Sequence, residues 1–397
     1  MKKVLIISPV HTHPVYAGNS ERIYRFMLAL RKIGCEVCFL HLPFSQLFGK
    51  YDESTMQKNW GEDYISFPYN YPRTVFEVGL WVVFNRFVRR LASLLQLRYR
   101  PIFLIDEWYD NRVNQFLQKL NNEKRFDTVI VEYVFFSKAL ENFDSSTIKI
   151  IDTHDVFTDR HKLLISNQQS PSFFYTNSFN ENKGLNRADK VIAIQKNEQI
   201  FFKNTLGLNN KIYTISHFPE LEYIFNSDVE NNIAYFSSSN PINLKSFSNF
   251  LKTIFPSIKD KIANVNLLVG GSICDHLEEN QSYKKLGKID DKKDFYKKAT
   301  VVINPMLFGT GIKIKTVESL GYGMPLVTTS AGADGLEDKV NKAFLVADNS
   351  EEFAQNVIKI LLEKKFRLDL SQMAFQFAEE INSANISNLK SLLEIND

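Results

Sequence analysis

The sequence predicts an α/β protein built on doubly wound parallel sheets, and three observations carry that prediction. The chain opens on an apolar run, a helical pattern and a second apolar run between Val4 and Leu40. A similar unit returns between Val301 and Leu336, this time around a glycine turn. At 397 residues the chain is long enough for two domains, each burying its own core.

Val4 to Ile7 reads as a buried strand and Ser8 to Ser20 as a polar loop. A helix is predicted from about Asn19 to Ile33, because Ile23, Phe26, Met27 and Leu30 recur at helical spacing and Gly34 stops the pattern. Glu36 to Leu40 supplies the second strand. Such a βαβ opening implies parallel strands with helices on the sheet faces, and sheets of this kind bind ligands beyond the carboxyl ends of their strands. The loop HTHPVYAGNS therefore lies where a ligand would. Two readings of its His11 and His13 are open: metal ligands, or polar loop residues, which fits a pair without a further Cys, His or carboxylate partner. Cys35 and Cys38 spell C-x-x-C, but residues three apart in a strand face opposite ways, so both read as core.

Residues 75–101 form a helix candidate with Arg86, Arg89, Arg90, Arg98 and Arg100 against the single acid Glu77. Trp81, Phe84, Phe87, Val88 and Leu91 recur at three- and four-residue spacing. Such a helix could lie on an anionic membrane, but the expectation is that its apolar face packs within the domain and its arginines are solvated. Phe126 to Glu132 and Ile148 to Ile151 are further strands, the second running into Asp152, Thr153, His154 and Asp155, with Arg160 a turn and a half later. A strand ending in titratable side chains is where a doubly wound domain places chemistry. Strands follow at Lys190 to Ile194 and Lys211 to Ile215, then an irregular stretch from His217 to Asn232. Ile233 to Phe236 opens the second half, and Val265 to Val269 runs into Gly270, Gly271 and Ser272.

The most informative stretch is VVINPMLFGTGIKIKTVESLGYGMPLVTTSAGADGL. It reads as a strand over Val301 to Ile303, a turn at Gly309, Thr310 and Gly311, a helix from Ile312 stopped by Gly323 and Pro325, and a strand over Leu326 to Thr329. Backbone N–H groups at such a turn, with the positive end of the helix dipole, suit a phosphate. At 100° per residue Gly311, Lys315 and Glu318 share one helical face, and Ile314, Val317 and Gly321 share a neighbouring one suited to packing. Lys315 could neutralise a phosphate and Glu318 could accept hydrogen bonds from a ribose diol. The competing reading is an exposed helical pair worth a few tenths of a kcal/mol.

This stretch resembles the donor-nucleotide motif of the GT-B retaining glycosyltransferases, in particular the group usually numbered family four. The resemblance rests on Pro305, Gly309, Gly311, Lys313, Lys315, Glu318, Gly323, Pro325, Val327, Thr329, Gly332 and Gly335. It implies two Rossmann-like domains facing a central cleft: residues 1–217 on the acceptor side, 218–378 holding the nucleotide sugar, and a C-terminal helix, 379–397, crossing back to the first domain. It also implies a hexosyltransferase-type enzyme that moves a sugar from a nucleoside diphosphate sugar, UDP or GDP foremost, to a hydroxyl acceptor with retention. The acceptor class would be a glycan, glycolipid or glycoprotein of the bacterial surface.

Carried over by resemblance, the nucleotide would meet Gly18, Asn19, Ser238, Gly309, Thr310, Gly311, Ile312, Lys315 and Glu318, with His154, Lys315 and Glu318 as the catalytic set. Where many relatives have a first glutamate near the donor sugar, this chain has Thr310, and Lys245 is the cation near the Ser237 to Asn240 loop. Those departures also motivate a second reading, a non-catalytic GT-B subunit binding a nucleotide or a membrane partner. Neither metal nor cofactor is expected, since no D-x-D pair occurs in a convincing loop. Balanced charge, 48 basic against 45 acidic residues, gives no reason to expect nucleic acid. The amino-terminal MKKVLIISPV does not read as a signal peptide and no apolar run approaches a membrane span, so a cytoplasmic location is expected, and peripheral contact to the inner membrane face through residues 75–101 is the alternative to packing of that helix within the domain.

Overall fold

A computed structural model describes the chain except for residues 16, 49–50, 96, 98–99, 172, 209–210, 227, 230, 290 and 396–397. Its contacts divide it into two units, one of Met1–Val15, Phe26–Ile215 and Asn388–Asp397, the other of Tyr16–Arg25 and Ser216–Ser387.

The first unit is built on seven strands: β1 Lys3–Ser8, β2 Glu36–His41, β3 Tyr64–Ser66, β4 Thr128–Glu132, β5 Ile148–Asp152, β6 Lys190–Ala193 and β7 Ile212–Thr214. They lie in the order β3-β2-β1-β4-β5-β6-β7, and every neighbouring pair is parallel. Val4 to Ile7 are fully buried, which is why β1 reads as an unbroken apolar run: helices cover both faces of a parallel sheet. The order reverses between β1 and β4, the position where doubly wound sheets bind ligands. Beside the sheet, Trp108, Phe135 and Phe174 pack with ring centroids 4.9–5.1 Å apart, so much of the unusual phenylalanine content is core. All three cysteines are buried and free.

The second unit repeats the plan with six strands: β8 Asn232–Phe236, β9 Asn266–Gly270, β10 Lys284–Lys285, β11 Val301–Asn304, β12 Leu326–Thr328 and β13 Leu345–Val346. Their order, β10-β9-β8-β11-β12-β13, has the same reversal, between β8 and β11. Its core includes Tyr235, Phe247, Phe250, Val269, Val301, Ile303 and Val327. The C-terminal helix is longer than the sequence suggests, running unbroken from Lys364 to Leu392. Residues from Asn388 onward cluster with the first unit, where Asn388 Nδ2 donates to the Thr214 carbonyl at 2.8 Å.

Residues 75–101 depart most from expectation. Gly79, at φ 84°, splits the segment into helices Val75–Val78 and Leu80–Leu94. The long helix is also turned the other way. Arg86 and Arg89 both bond the buried Glu107 carboxylate, while Trp81, Phe84 and Phe87 are 65%, 54% and 64% exposed. Arg98 lies outside the described residues. No helix among the described residues is long and apolar enough to cross a membrane.

Candidate functional site

In the second unit, β11 leads into the turn before helix Ile314–Gly321. The helix starts two residues later than its pattern suggests, with Lys313 at the N-cap in an extended conformation. Gly311 therefore lies outside the helix and does not share a helical face with Lys315 and Glu318, as the spacing implied. Gly309 and Gly311 take φ values of 144° and 71°, conformations that glycine adopts without steric cost.

The buried Lys313 ammonium explains the shape of this turn. It donates to the Thr310 carbonyl at 3.1 Å and the Gly309 carbonyl at 3.5 Å, and more tightly to the Gly311 carbonyl. In a trans peptide the N–H of the next residue points opposite to the carbonyl. With three carbonyls drawn to Lys313, the N–H groups of Thr310, Gly311 and Ile312 point away from that ammonium, as successive amides do in anion-binding nests.

Lys315, one turn further on, is half-buried. Its Nζ donates to Ser237 Oγ at 3.1 Å and Asn243 Oδ1 at 3.0 Å, and it lies 5.1 Å from the Tyr235 ring centroid. Burial, then the neighbouring Lys313 charge, push its pKa down to about 7. Asn243 Nδ2 in turn donates to the Ser238 carbonyl at 3.0 Å and to Ser238 Oγ at 3.1 Å. The Ser237–Ser238 loop and Lys315 are thus joined through one amide. Lys245, the cation expected near this loop, has its ammonium 5.5 Å from the Phe308 ring centroid.

Glu318 has a different neighbourhood. Its Oε1 accepts from Lys292 Nζ at 2.5 Å, and the same ammonium donates to Glu21 Oε2 at 2.9 Å. Arg25 Nε donates to Glu21 Oε1 at 2.7 Å. Burial raises the Glu318 carboxyl, with Lys292 opposing; burial also acts to raise Glu21, but Lys292 and Arg25 hold it down to about 2. His217 is buried beside these charges, its pKa pushed down to about 3 by burial.

Gly18 and Asn19 open the helix Gly18–Lys32 and cluster with the second unit. A Cβ added to Gly18 would stand 3.2 Å from Ile314 Cγ1, so the first residues of two helices meet here and glycine lets them approach. Sequence reasoning missed Lys292, Glu21, Arg25 and His217. The one available signal was Glu21, an acid in the first turn of a helix whose opening residues were already candidates.

His154 belongs to the first unit. Its Nε2 bonds Glu132 Oε2, and its ring stacks on Tyr133 at 4.1 Å between centroids. Tyr133 and His154 both have positive φ, 71° and 61°; such strain in non-glycine residues clusters at functional sites. Glu132 and Asp152, which end β4 and β5, are register partners. Together with His154 they offer ligand atoms within 4.8 Å of one another, a set that could take a divalent cation. A cation binding through Nε2 would displace the Glu132 bond. Asp155 pairs with Arg160 at 3.0 Å, and the buried Glu181 carboxylate accepts from the Phe157 and Thr158 amides at 2.9 and 2.7 Å, anchoring the segment after His154. His11 is buried and stacks on Tyr51 with centroids 6.2 Å apart, so it is not a solvated loop residue.

Comparisons with known proteins bear on the family and the fold. Residues 230–363 match the family model of the Glycosyl transferases group 1. An uncharacterized 44.6 kDa protein in the cps region of Klebsiella pneumoniae is 23% identical over 291 residues, 66% of this chain and 73% of that protein. Among solved structures, TarM of S. aureus is similar at TM-score 0.69 and 13% identity, over 100% of this chain and 98% of TarM. Sucrose-phosphate synthase from Thermosynechococcus elongatus is similar at 0.66 and 13%, over 99% and 98%. HepE of Anabaena, in complex with UDP, is similar at 0.60 and 14%, over 99% of each chain. Residues 230–363 are thus similar to the Glycosyl transferases group 1, and the chain along its whole length shares the GT-B fold of these solved structures.

Proposed function

We propose that the protein transfers a sugar from a nucleoside diphosphate sugar, with UDP or GDP as the nucleotide, to a hydroxyl on a surface glycan, glycolipid or glycoprotein, with retention of anomeric configuration. The observation that carries this reading is the Lys313-clasped turn, whose Thr310, Gly311 and Ile312 amides face away from the clasping ammonium. A diphosphate takes those amides and the Lys315 ammonium, and the ribose diol takes Glu318. Gly18, Asn19 and Ser238 bound the same nucleotide, and residues 218–378 are its domain. Amides and a lysine that stabilise charge on the leaving diphosphate lower the barrier to sugar transfer without a metal.

In this reading the amino-terminal domain, residues 1–217, serves the acceptor and carries His154, which acts on the sugar. Glu132 holds the imidazole in one orientation. Thr310, exposed at the turn, stands where an acid would contact the donor sugar and sets donor choice.

Calorimetric titration with UDP, GDP and ADP, alongside Lys315→Ala and Glu318→Ala, tests the nucleotide site. One nucleotide should bind the wild type and both variants should weaken it; unchanged affinity in both removes the site as drawn. Donor hydrolysis without acceptor separates the enzyme from a non-catalytic nucleotide-binding subunit, which hydrolyses none.

A further inference from the structure

Helix Leu80–Leu94 presents its apolar face to solvent and its arginines to the protein. Arg86 donates from Nε to Glu107 Oε1 at 2.9 Å and from Nη1 to the Pro72 carbonyl at 2.6 Å. Arg89 donates to the Ile102 carbonyl at 2.8 Å and lies 3.9 Å over the Phe103 ring. Outward on the same helix, Leu80, Phe84, Phe87, Leu91 and Leu94 follow one another at four-, three-, four- and three-residue steps, all exposed. Trp81 stacks on Phe84 at 6.0 Å, and the preceding short helix adds a fully exposed Phe76. A contiguous exposed apolar face of this size marks an interaction site.

The charges around the face select the partner. Arg73 and Arg90 are exposed. The nearby acid, Glu77, is engaged by the amides of Arg73 and Thr74 at 2.9 and 2.8 Å. Those bonds favour the ionised carboxylate, so Arg73 and Arg90 outnumber it two to one beside an apolar centre that carries a tryptophan, the composition of helices that lie in a membrane interface. A 15-residue helix is about 22 Å long, short of the roughly 30 Å hydrocarbon core, so it lies in the interface and does not cross.

We infer that this helix inserts its Leu80–Phe84–Phe87–Leu91–Leu94 face into the surface of an anionic phospholipid bilayer, with apolar burial as the main attraction and Arg73 and Arg90 meeting the phosphates. Because Arg86 and Arg89 are engaged inside the protein, docking depends weakly on salt. This inference stands apart from the donor assignment, since it uses no residue of the nucleotide site.

The test is flotation of the full chain with vesicles of phosphatidylcholine alone and of phosphatidylcholine mixed with phosphatidylglycerol, at low and high salt. Of the three tryptophans, Trp60 and Trp108 are buried, so a blue shift of emission on adding vesicles reports Trp81. The expected results are co-flotation with the mixed vesicles, most of it kept at high salt, and a blue shift. The double variant Phe84→Ser with Phe87→Ser should lower partitioning about tenfold or more with an unchanged melting temperature. No flotation with either vesicle overturns the inference. So does flotation abolished by salt but indifferent to the double variant. A dimer in light scattering, with Trp81 emission already blue without lipid and monomers on double substitution, assigns the face to a second copy instead.

Discussion

The Lys292 ammonium sits between two buried carboxylates, 2.5 Å from Glu318 and 2.9 Å from Glu21. Residues 26 and 271 positions away in sequence converge on one cation, tying the opening of helix Gly18–Lys32 to the proposed ribose acid. Burial acts to raise the Glu318 carboxyl, and Lys292 opposes that rise.

Lys292→Met should destabilise the protein by about 3–5 kcal/mol, since it leaves two carboxylates buried without their cation. Their pKa values then rise, and a group raised above its unfolded value contributes stability at low pH that is lost as pH increases. Urea titration should therefore show a smaller deficit at pH 5 than at pH 8. Adding Glu318→Gln should recover part of the loss, and equal deficits at both pH values would contradict the arrangement.

Lys315, depressed to about 7, gives nucleotide binding a pH signature. An anion prefers the ammonium, so binding raises the pKa and takes up a proton above neutrality. Affinity for the nucleoside diphosphate should fall up to about tenfold per pH unit above 7, and the calorimetric heat at pH 8 should vary with buffer ionisation enthalpy. Lys315→Met should lose both effects.

His154→Ala should reduce transfer about a hundredfold or more while leaving nucleotide affinity unchanged, because the role proposed for His154 lies with the sugar and not the nucleotide. Initial rates paired with calorimetry separate the two. A matching loss of affinity would place His154 in nucleotide binding.

Glu107→Ala should cost about 3–5 kcal/mol in chemical denaturation, because Arg86 and Arg89 lose the buried carboxylate they share. Their solvation, as the sequence pattern suggested, would instead make the substitution nearly neutral.

Gly332→Ala should destabilise by about 1–3 kcal/mol. A Cβ there would fall 2.0 Å from Thr328 Oγ1 and 3.0 Å from Asn304 Nδ2, in the layer where Thr316 donates to the Gly332 carbonyl at 3.0 Å. Thermal unfolding measures it, and an unchanged midpoint would contradict the packing.

Local patterns carry local structure, so β1, helix Gly18–Lys32, β2, and the β11–turn–helix–β12 unit were legible almost to the residue. So were the positions of Lys315, Glu318 and the glycines, because they form one short continuous motif. Periodicity also showed that residues 80–94 have an apolar side and a basic side. It could not say which side meets the core: both faces of an isolated helix are open, and the buried acid Glu107, the Tyr71 ring 4.6 Å from the Arg86 guanidinium and the Phe103 ring under Arg89 decided the matter.

The sequence by itself determined the parallel α/β plan, the glycine turn after β11 and the family resemblance, all encoded within stretches of a few dozen residues. The tertiary structure decided the partners: Lys313 turning inward to shape the turn, Lys292 and Glu21 joining Glu318, Glu132 seating His154, and the aromatic face left to solvent. A buried charge must find an opposite charge or a hydrogen-bond partner wherever the chain brings one, and that partner is set by folding, not by nearness in sequence.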